Sequence, residues 1–277
     1  MLPECPSGPL AVNRPLSQPH RLTVLEILQI PVWRDNYAYL ARCTATDTVA
    51  CVDSPEAGPI LEALAERGWS LDLLLNTHHH PDHIGANKVL KEKTGCRIVG
   101  SCHDPERIPG IDRQVDGGDT VKVGEQHARV LFIPGHTRGH IAYYFEQAQA
   151  VFSGDTLFVA GCGRLFEGTA EQLWSSFQKL MALPPETKIY GAHEYTLSNI
   201  RFALSVDPDN LALRVLEVQA QALRETKQPT VPSTLAQELQ TNPFLRVDRS
   251  EIAQAMDMPG APPAQVLAEL RARKDTF

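Results

Sequence analysis

The stretch that decides the fold is LDLLLNTHHHPDH, residues 71–83. Its apolar first part has the length and composition of a short buried strand, so the histidines follow the end of that strand, where functional sites commonly lie. In extended backbone, side chains two residues apart point the same way. His78 and His80 are therefore predicted to reach one metal ion together, while His79 points away.

The second half of this stretch changes direction. Pro81 suits the first turn of a helix, so Asp82 and His83 would leave the loop on another side and serve a second ion. A cluster of surface histidines without metal is the alternative interpretation. It is disfavoured because four imidazoles within six residues are costly to leave without partners if any are buried.

Three further candidate ligands each follow an apolar run: His136, Asp155 and His193. Taken alone, each has an ordinary explanation, as a turn histidine, an Asx-turn or helix-cap aspartate, and a buried, hydrogen-bonded histidine. Their repeated position after a predicted strand, with glycine nearby, favours one shared site instead.

Five histidines and two aspartates exceed what one tetrahedral ion needs, but they suit two divalent ions that share a carboxylate. Nitrogen and oxygen donors without cysteine favour zinc first, with iron and manganese as alternatives. Such a site would hold a bridging hydroxide, with Asp155 and Asp82 as the residues placed to hold it. His140 is either a supporting partner of the site or a packed structural residue.

The rest of the chain is predicted to form a mixed α/β domain followed by helices. Apolar runs typical of strands occur at residues 22–30, 37–42, 48–52, 71–75, 97–99, 128–133, 141–145, 150–152 and 188–190. Helical periods at 59–67, 84–93 and 171–180 interrupt them, and after Tyr195 only helical segments follow, at 197–206, 211–224, 234–239, 251–256 and 264–274. We expect a disordered extension over residues 1–20, a metal-binding domain over 21–195 and a helical, substrate-binding domain over 196–277.

Composition narrows the classes of partner. With 26 Lys and Arg against 33 Asp and Glu the formal charge is −7, and no basic stripe is present, which disfavours nucleic acid. No apolar run reaches the roughly 18 residues of a membrane helix, so no membrane partner is expected. The six cysteines show no C-x-x-C pair and no secreted disulfide pattern, which favours the cytoplasm.

Several segments of the sequence, taken together, resemble a known family. The segments 77–83, 134–137, 153–158 and 191–195 are similar to the metallo-β-lactamase superfamily, which implies an α/β fold, a four-layer αββα sandwich. The segments 161–168, 242–246 and 271–275 resemble, more narrowly, glyoxalase II, the hydroxyacylglutathione hydrolases. The resemblance covers residues 22–277.

The resemblance implies a role for each candidate ligand. One ion would be held by His78, His80 and His136, the second by Asp82, His83 and His193, and Asp155 would bridge them. It also implies contacts to glutathione by Arg164, Tyr195, Arg271 and Lys274. Arg271 and Lys274 share a helix face and could hold a carboxylate, although a solvated charged helix end is the simpler explanation of that pair. Phe166 occupies a position where other members carry tyrosine, which predicts weaker glutathione binding.

The implied activity is hydrolysis of S-(2-hydroxyacyl)glutathione, with S-D-lactoylglutathione giving glutathione and D-lactate in the second step of methylglyoxal detoxification. A monomer is expected from the family alone. The first alternative is a persulfide dioxygenase of the same superfamily with a single iron. Lactonases, RNA-processing nucleases and a metal-free binding module on the same fold are more remote alternatives.

Overall fold

The computed structural model describes residues 24–277, so the extension expected over residues 1–20 lies outside the described part. Two six-stranded sheets form its centre. The first has the order β1 to β6, with β1, β2 and β3 antiparallel and β3 to β6 parallel. Its strands are β1 (Leu25–Val32), β2 (Asn36–Cys43), β3 (Val49–Val52), β4 (Leu71–Leu75), β5 (Arg97–Ser101) and β6 (Ile111–Val115).

The second sheet runs in the order β14-β13-β10-β9-β8-β7, and a separate hairpin, β11 and β12, follows β10. Within it only β10 and β13 are parallel. The strands are β7 (Thr120–Val123), β8 (Gln126–Phe132), β9 (Ile141–Phe145), β10 (Ala150–Gly154), β11 (Leu157–Phe158), β12 (Gly161–Cys162), β13 (Lys188–Gly191) and β14 (Ser233–Thr234).

Helices surround both sheets. They are α1 (Ala57–Arg67), α2 (Pro81–Ile84), α3 (Asn87–Thr94), α4 (Ala170–Met181), α5 (Thr196–Val206), α6 (Leu211–Glu225), α7 (Leu235–Thr241), α8 (Ser250–Ala255) and α9 (Pro263–Thr276), with short 3-10 turns at Pro105–Arg107 and Pro243–Leu245. Ile60 and Leu90 pack on the first sheet, whereas Phe177 and Leu270 pack beside the second. Tyr143 lies in the core between the sheets. These layers are the αββα sandwich that was expected.

The region after residue 195 is helical with one exception. The two-residue strand β14 pairs antiparallel with β13 and so attaches this region to the second sheet. Helix α9 packs against α4, and Ile200 of α5 contributes to the core between the sheets. The helices therefore continue the hydrophobic core of the α/β part instead of enclosing a separate one.

Two local features differ from the sequence pattern. The strands β6 and β7 are not among the apolar runs described above, because most side chains of β6 are exposed and each strand ends its sheet, where the apolar pattern is weakest. The single helix expected at 84–93 is divided into α2 and α3 near Gly85. A Cβ atom at Gly85 would lie 2.7 Å from the carbonyl oxygen of Pro55, so the chain turns here against neighbouring backbone.

The ends of β4, β10 and β13 and the loop after β8 meet at one edge of the sandwich. Each of these four segments is followed by candidate ligands. Within residues 24–277, no helix has the length and apolar character required to span a membrane.

Candidate metal centre

The first group of candidate ligands consists of His78, His80 and His136. His78 Nε2 lies 3.0 Å from His80 Nδ1, and His136 Nε2 lies 3.0 Å from the same Nδ1 atom. His78 and His80 come from the loop after β4, and His136 from the loop after β8. Three ring nitrogens from two segments thus converge on one point.

The second group consists of Asp82, His83 and His193. Asp82 Oδ2 lies 3.5 Å from His83 Nε2 and 3.4 Å from His193 Nε2. Pro81 occupies the first turn of α2, as the sequence predicted, and Asp82 and His83 lie on this turn. The His83 ring stays close to the first group, with its centroid 4.0 Å from that of His78.

Asp155 lies between the two groups. Its Oδ1 atom is 3.3 Å from His83 Nε2 and 3.4 Å from His193 Nε2, whereas its Oδ2 atom is 3.4 Å from His136 Nε2. One carboxylate therefore presents one oxygen to each group, which is the arrangement expected of a bridging ligand.

The residues present fit divalent ions. Ligand nitrogens at about 2.0–2.1 Å from a tetrahedral ion lie roughly 3.3–3.4 Å from one another, close to the spacing of both groups. Among the described residues, His83 Nε2 and Asp155 Oδ1 are buried with no hydrogen-bond partner. Such orphaned buried atoms are rare in proteins and are explained if a cation lies between them.

The imidazoles of the second group are oriented by carboxylates. Asp53, which directly follows β3, accepts a hydrogen bond of 2.8 Å from His83 Nδ1. His193 Nδ1 lies 3.2 Å from Asp35 Oδ1, and Asn36 Nδ2 donates to Asp82 Oδ2 at 3.1 Å. The contacts to His83 and His193 leave the Nε2 atoms that face the centre free to bind metal, whereas Asn36 donates to the Asp82 oxygen that itself faces the two imidazoles.

The first group is oriented mainly by neutral oxygens. His136 Nδ1 donates to the carbonyl oxygen of Arg164 at 2.8 Å, and His78 Nδ1 lies 3.1 Å from Thr77 Oγ1. His140 is buried and accepts a hydrogen bond from the backbone N–H of Asp155 at 3.1 Å. Of the two interpretations left open for His140, the structure therefore favours the supporting partner.

Two glycines allow the segments to approach this closely. At Gly154, with φ of +50°, a Cβ atom would lie 2.5 Å from Thr77 Oγ1. At Gly163 it would lie 2.0 Å from the carbonyl oxygen of Asp155. Side chains at either position would push the ligand loops apart.

The two groups of candidate ligands differ in the charge that their surroundings favour. Burial and neighbouring histidines hold the pKa of His78 well below its ordinary value, and the same causes lower the pKa of His80 to about 4, so both rings are neutral, as metal binding requires. Burial would also lower the pKa of His193, but Asp155 and Asp82 raise it to about 10. The two carboxylates thus favour positive charge on this side, whether it is carried by protons or by a metal ion.

His79 belongs to a different network. Its Nδ1 atom lies 3.2 Å from Asp104 Oδ2, and its Nε2 atom accepts a hydrogen bond from Arg107. Arg107 also donates to Glu167 Oε1 at 2.6 Å. His79 therefore points away from the centre, as predicted, and helps join the ligand loop to the loop that contains Arg164.

A cavity of about 490 Å³ opens over the centre. The residues expected to bind substrate all line it: Arg164, Phe166, Tyr195, Arg271 and Lys274. The Phe166 ring is 61% exposed and lies edge-on to His80 and His136, and the Tyr195 ring stacks on His193. Helix α9 brings its cations to this cavity, so the simpler explanation of a solvated helix end does not describe them.

Several residues around the centre were missed by the sequence analysis. Asp53, Asp35 and Asn36 contact ligands, and Phe158 and Ser198 line the cavity. Asp53 could have been found, because it follows an apolar run just as Asp155 and His193 do. Asp35 lies in the turn between β1 and β2 and Asn36 is the first residue of β2, and nothing in the sequence distinguishes the two from ordinary turn residues.

Comparison with known proteins identifies the family. Residues 45–193 match the family model described as metallo-beta-lactamase superfamily, and residues 194–277 match the model described as hydroxyacylglutathione hydrolase C-terminus. The chain belongs to the hydroxyacylglutathione hydrolase family. A hydroxyacylglutathione hydrolase of Methylococcus capsulatus is 53% identical over 92% of this chain and 99% of its own length, and one of Rhodospirillum rubrum is 51% identical over 92% and 100%.

Among solved structures, ETHE1 of Myxococcus xanthus superposes with a TM-score of 0.63 at 28% identity, covering 91% of this chain and 99% of its own. That likeness is weaker than the likeness to the hydrolases. Membership of the hydroxyacylglutathione hydrolase family confirms the resemblance and the fold predicted from the sequence, and it disfavours the dioxygenase alternative. The family also implies that the chain binds divalent metal.

Proposed function

We propose that the protein hydrolyses the thioester bond of S-(2-hydroxyacyl)glutathione, with S-D-lactoylglutathione, the intermediate of methylglyoxal detoxification, as its natural substrate and D-lactate and glutathione as products. The observation that carries this proposal is the double ligand group around Asp155, which lies at the base of a cavity lined by cations. The names of the relatives at about 50% identity support the same activity.

The proposed cofactor is a pair of divalent ions, with zinc expected first and iron or manganese as alternatives. His78, His80 and His136 would hold one ion, Asp82, His83 and His193 the other, and Asp155 both. When bound, such a pair lowers the pKa of a water molecule and polarises the carbonyl group that is attacked.

The residues of the cavity would bind the glutathione part of the substrate. Arg271 is buried, donates to the carbonyl oxygen of Cys162 at 2.8 Å and lies 3.1 Å from Asp275, so its guanidinium is held in place. Lys274 donates to the carbonyl oxygen of Ser198 at 3.1 Å. Both cations would bind the carboxylates of glutathione. A thiolate leaves readily because a thiol has a pKa of about 8.5, so the site needs no strong general acid.

The test combines elemental analysis with a thioester hydrolysis assay on the same sample. We expect two metal equivalents per chain and hydrolysis of S-D-lactoylglutathione that chelators abolish. Asp155→Ala should lose metal and activity together, and His127→Ala, which changes an exposed histidine of β8, is the matched control. A single iron without hydrolysis would contradict the proposal and support the dioxygenase. The monomeric state and the cytoplasmic location stay predictions from the sequence.

A further inference from the structure

A second cluster of metal-ligating side chains lies outside the cavity, where β5 and β6 end. It consists of Cys102, His103 and Asp116, whose potential ligand atoms all lie within 4.8 Å of one another. None of the three lines the cavity over the catalytic centre. The hydrolysis reaction makes no use of them.

The cluster is held by backbone and by an aromatic ring. The N–H of Cys102 donates to the carbonyl oxygen of Val115 at 3.0 Å, which places Cys102 beside Asp116. The ring of His103 stacks on Phe132 with centroids 4.3 Å apart, and its Nε2 atom lies 3.0 Å from Asp116 Oδ1. The imidazole is therefore already turned towards the other two donors.

The charge of the cluster favours a cation. Asp119 accepts a hydrogen bond of 2.9 Å from the N–H of Asp116, so two carboxylates lie beside the Cys102 thiol. Among residues 24–277, neither Asp116 nor Asp119 forms an ion pair with lysine or arginine, and the imidazole of His103 lies beside Asp116.

Another cluster of potential ligands in the same structure is neutralised by an arginine. His79, Asp104 and Glu167 also bring three potential ligands together, but the guanidinium of Arg107 contacts all three and supplies the positive charge. Within residues 24–277, no arginine or lysine forms an ion pair with the cluster at Cys102.

We propose that Cys102, His103 and Asp116 form an additional site for a transition-metal ion of the zinc type. A sulfur, a nitrogen and an oxygen donor suit zinc or cobalt and do not suit magnesium or calcium, which prefer oxygen alone. Three protein ligands leave the fourth position to water. Binding releases the Cys102 thiol proton to solvent, because the thiolate is the ligand.

The site adjoins a segment that contacts the loop carrying the candidate ligands. Asp104, the next residue after His103, lies 3.2 Å from His79, and Arg107 in the following turn donates to Glu167. An ion at Cys102 would join the ends of β5 and β6. Because binding to the folded state alone stabilises it, zinc should raise the melting temperature beyond the effect of filling the catalytic centre.

Cobalt(II) makes the test specific. All proposed ligands of the catalytic centre are nitrogen or oxygen, so an ultraviolet thiolate-to-cobalt charge-transfer band reports only a cysteine ligand. Wild-type protein saturated with cobalt should show this band and should bind one equivalent more than the catalytic centre holds. Cys102→Ser should lose the band and that equivalent while it keeps hydrolysis activity, and His103→Ala should weaken this binding roughly tenfold or more. His127→Ala should change neither property.

Absence of the band in wild-type protein would overturn the proposal, and so would a band that survives in Cys102→Ser. An additional equivalent that His103→Ala and His127→Ala retain equally would also count against it. The outcome is independent of the catalytic function, because a protein that shows the band without hydrolysing thioesters would contradict only the proposed function.

Discussion

Asp53 shows how a single residue acts on the centre without reaching it. Its backbone has a positive φ of 56°, which is uncommon for aspartate, and its carboxylate accepts hydrogen bonds from the N–H and the hydroxyl of Thr77 as well as from His83. One buried carboxylate thus holds the first residue of the ligand loop and a ligand of the second group.

We expect Asp53→Asn to weaken binding of the second metal ion by roughly 10-fold to 100-fold, because the amide orients His83 less strongly than the carboxylate does. Titration with a competing chelator measures this, and excess metal should restore activity. Asp72→Asn is the matched control, because Asp72 accepts a backbone hydrogen bond from Val49 near the opposite ends of the same strands. Equal metal affinity in the two variants would contradict the role given to Asp53.

Phe166 is the second residue whose substitution should change substrate binding measurably. Its exposed ring lies at the cavity wall and offers packing but no hydrogen bond. Phe166→Tyr should lower KM for S-D-lactoylglutathione about threefold to tenfold, the effect of one added hydrogen bond, and should leave kcat unchanged. Steady-state kinetics decide the matter, and a KM that stays the same or rises shows that the hydroxyl finds no partner on the substrate.

At the scale of elements, α9 brings a partly buried cation to the cavity. Burial, reinforced by Arg271 and Arg201, lowers the pKa of Lys274 to about 8. The ammonium lies 5.2 Å from the ring centre of Phe202 and 5.4 Å from that of Phe277, which explains the loss of hydration. Lys274 therefore changes charge at about pH 8.

As pH rises through about 8, Lys274 loses its proton and with it the attraction for a glutathione carboxylate. KM should therefore rise above pH 8, while the charged form below that pH binds best. Measurements of KM across this range, corrected for spontaneous thioester hydrolysis, test the effect. Arginine stays charged throughout this pH range. In Lys274→Arg, KM should therefore rise less above pH 8 than it does in the wild-type protein. The same pH profile in both proteins would exclude Lys274 as the titrating group.

Elements with a strong apolar pattern were predictable and weakly patterned ones were not. The bounds of β4 and β9 agree with the predicted runs at 71–75 and 141–145, because every second side chain or more is buried there. The strands β6 and β14 are exposed or very short, so their pairing depends on neighbouring strands and leaves little trace in the sequence.

At the scale of the whole molecule, Glu238 joins the C-terminal helices to the cavity. It is fully buried in α7, and its Oε2 atom accepts hydrogen bonds from Ala160 N at 2.9 Å and Asn242 Nδ2 at 3.0 Å. Asn242 in turn donates to the carbonyl oxygens of Phe158 and Gly161 in the hairpin of β11 and β12. Burial raises the pKa of Glu238 to about 7.

A folded-state pKa above the unfolded value of about 4.5 means that the folded protein favours the protonated carboxyl. This contribution to stability is complete below the unfolded pKa and is lost as pH rises through about 7. Glu238→Gln cannot ionise, so its free energy of unfolding should increase relative to wild type between pH 5 and pH 8, by an amount on the order of 1–3 kcal/mol.

Urea unfolding of the metal-loaded proteins at both pH values provides the measurement. The exposed Glu186→Gln is the control and should show no such trend. A difference between Glu238→Gln and wild type that is the same at both pH values would show that Glu238 does not titrate in this range.

The sequence by itself determined the ligand types, their spacing around Pro81 and the layered α/β fold, because local backbone geometry and apolar periodicity act within a few residues. Its family resemblance supplied the substrate class and the residues of the cavity wall. Only the tertiary structure decided that Asp155 presents one oxygen to each ligand group, that Asp53 and Asp35 orient imidazoles, and that α9 reaches the cavity. These contacts join residues far apart in the chain, so they depend on how the two sheets and the C-terminal helices pack together.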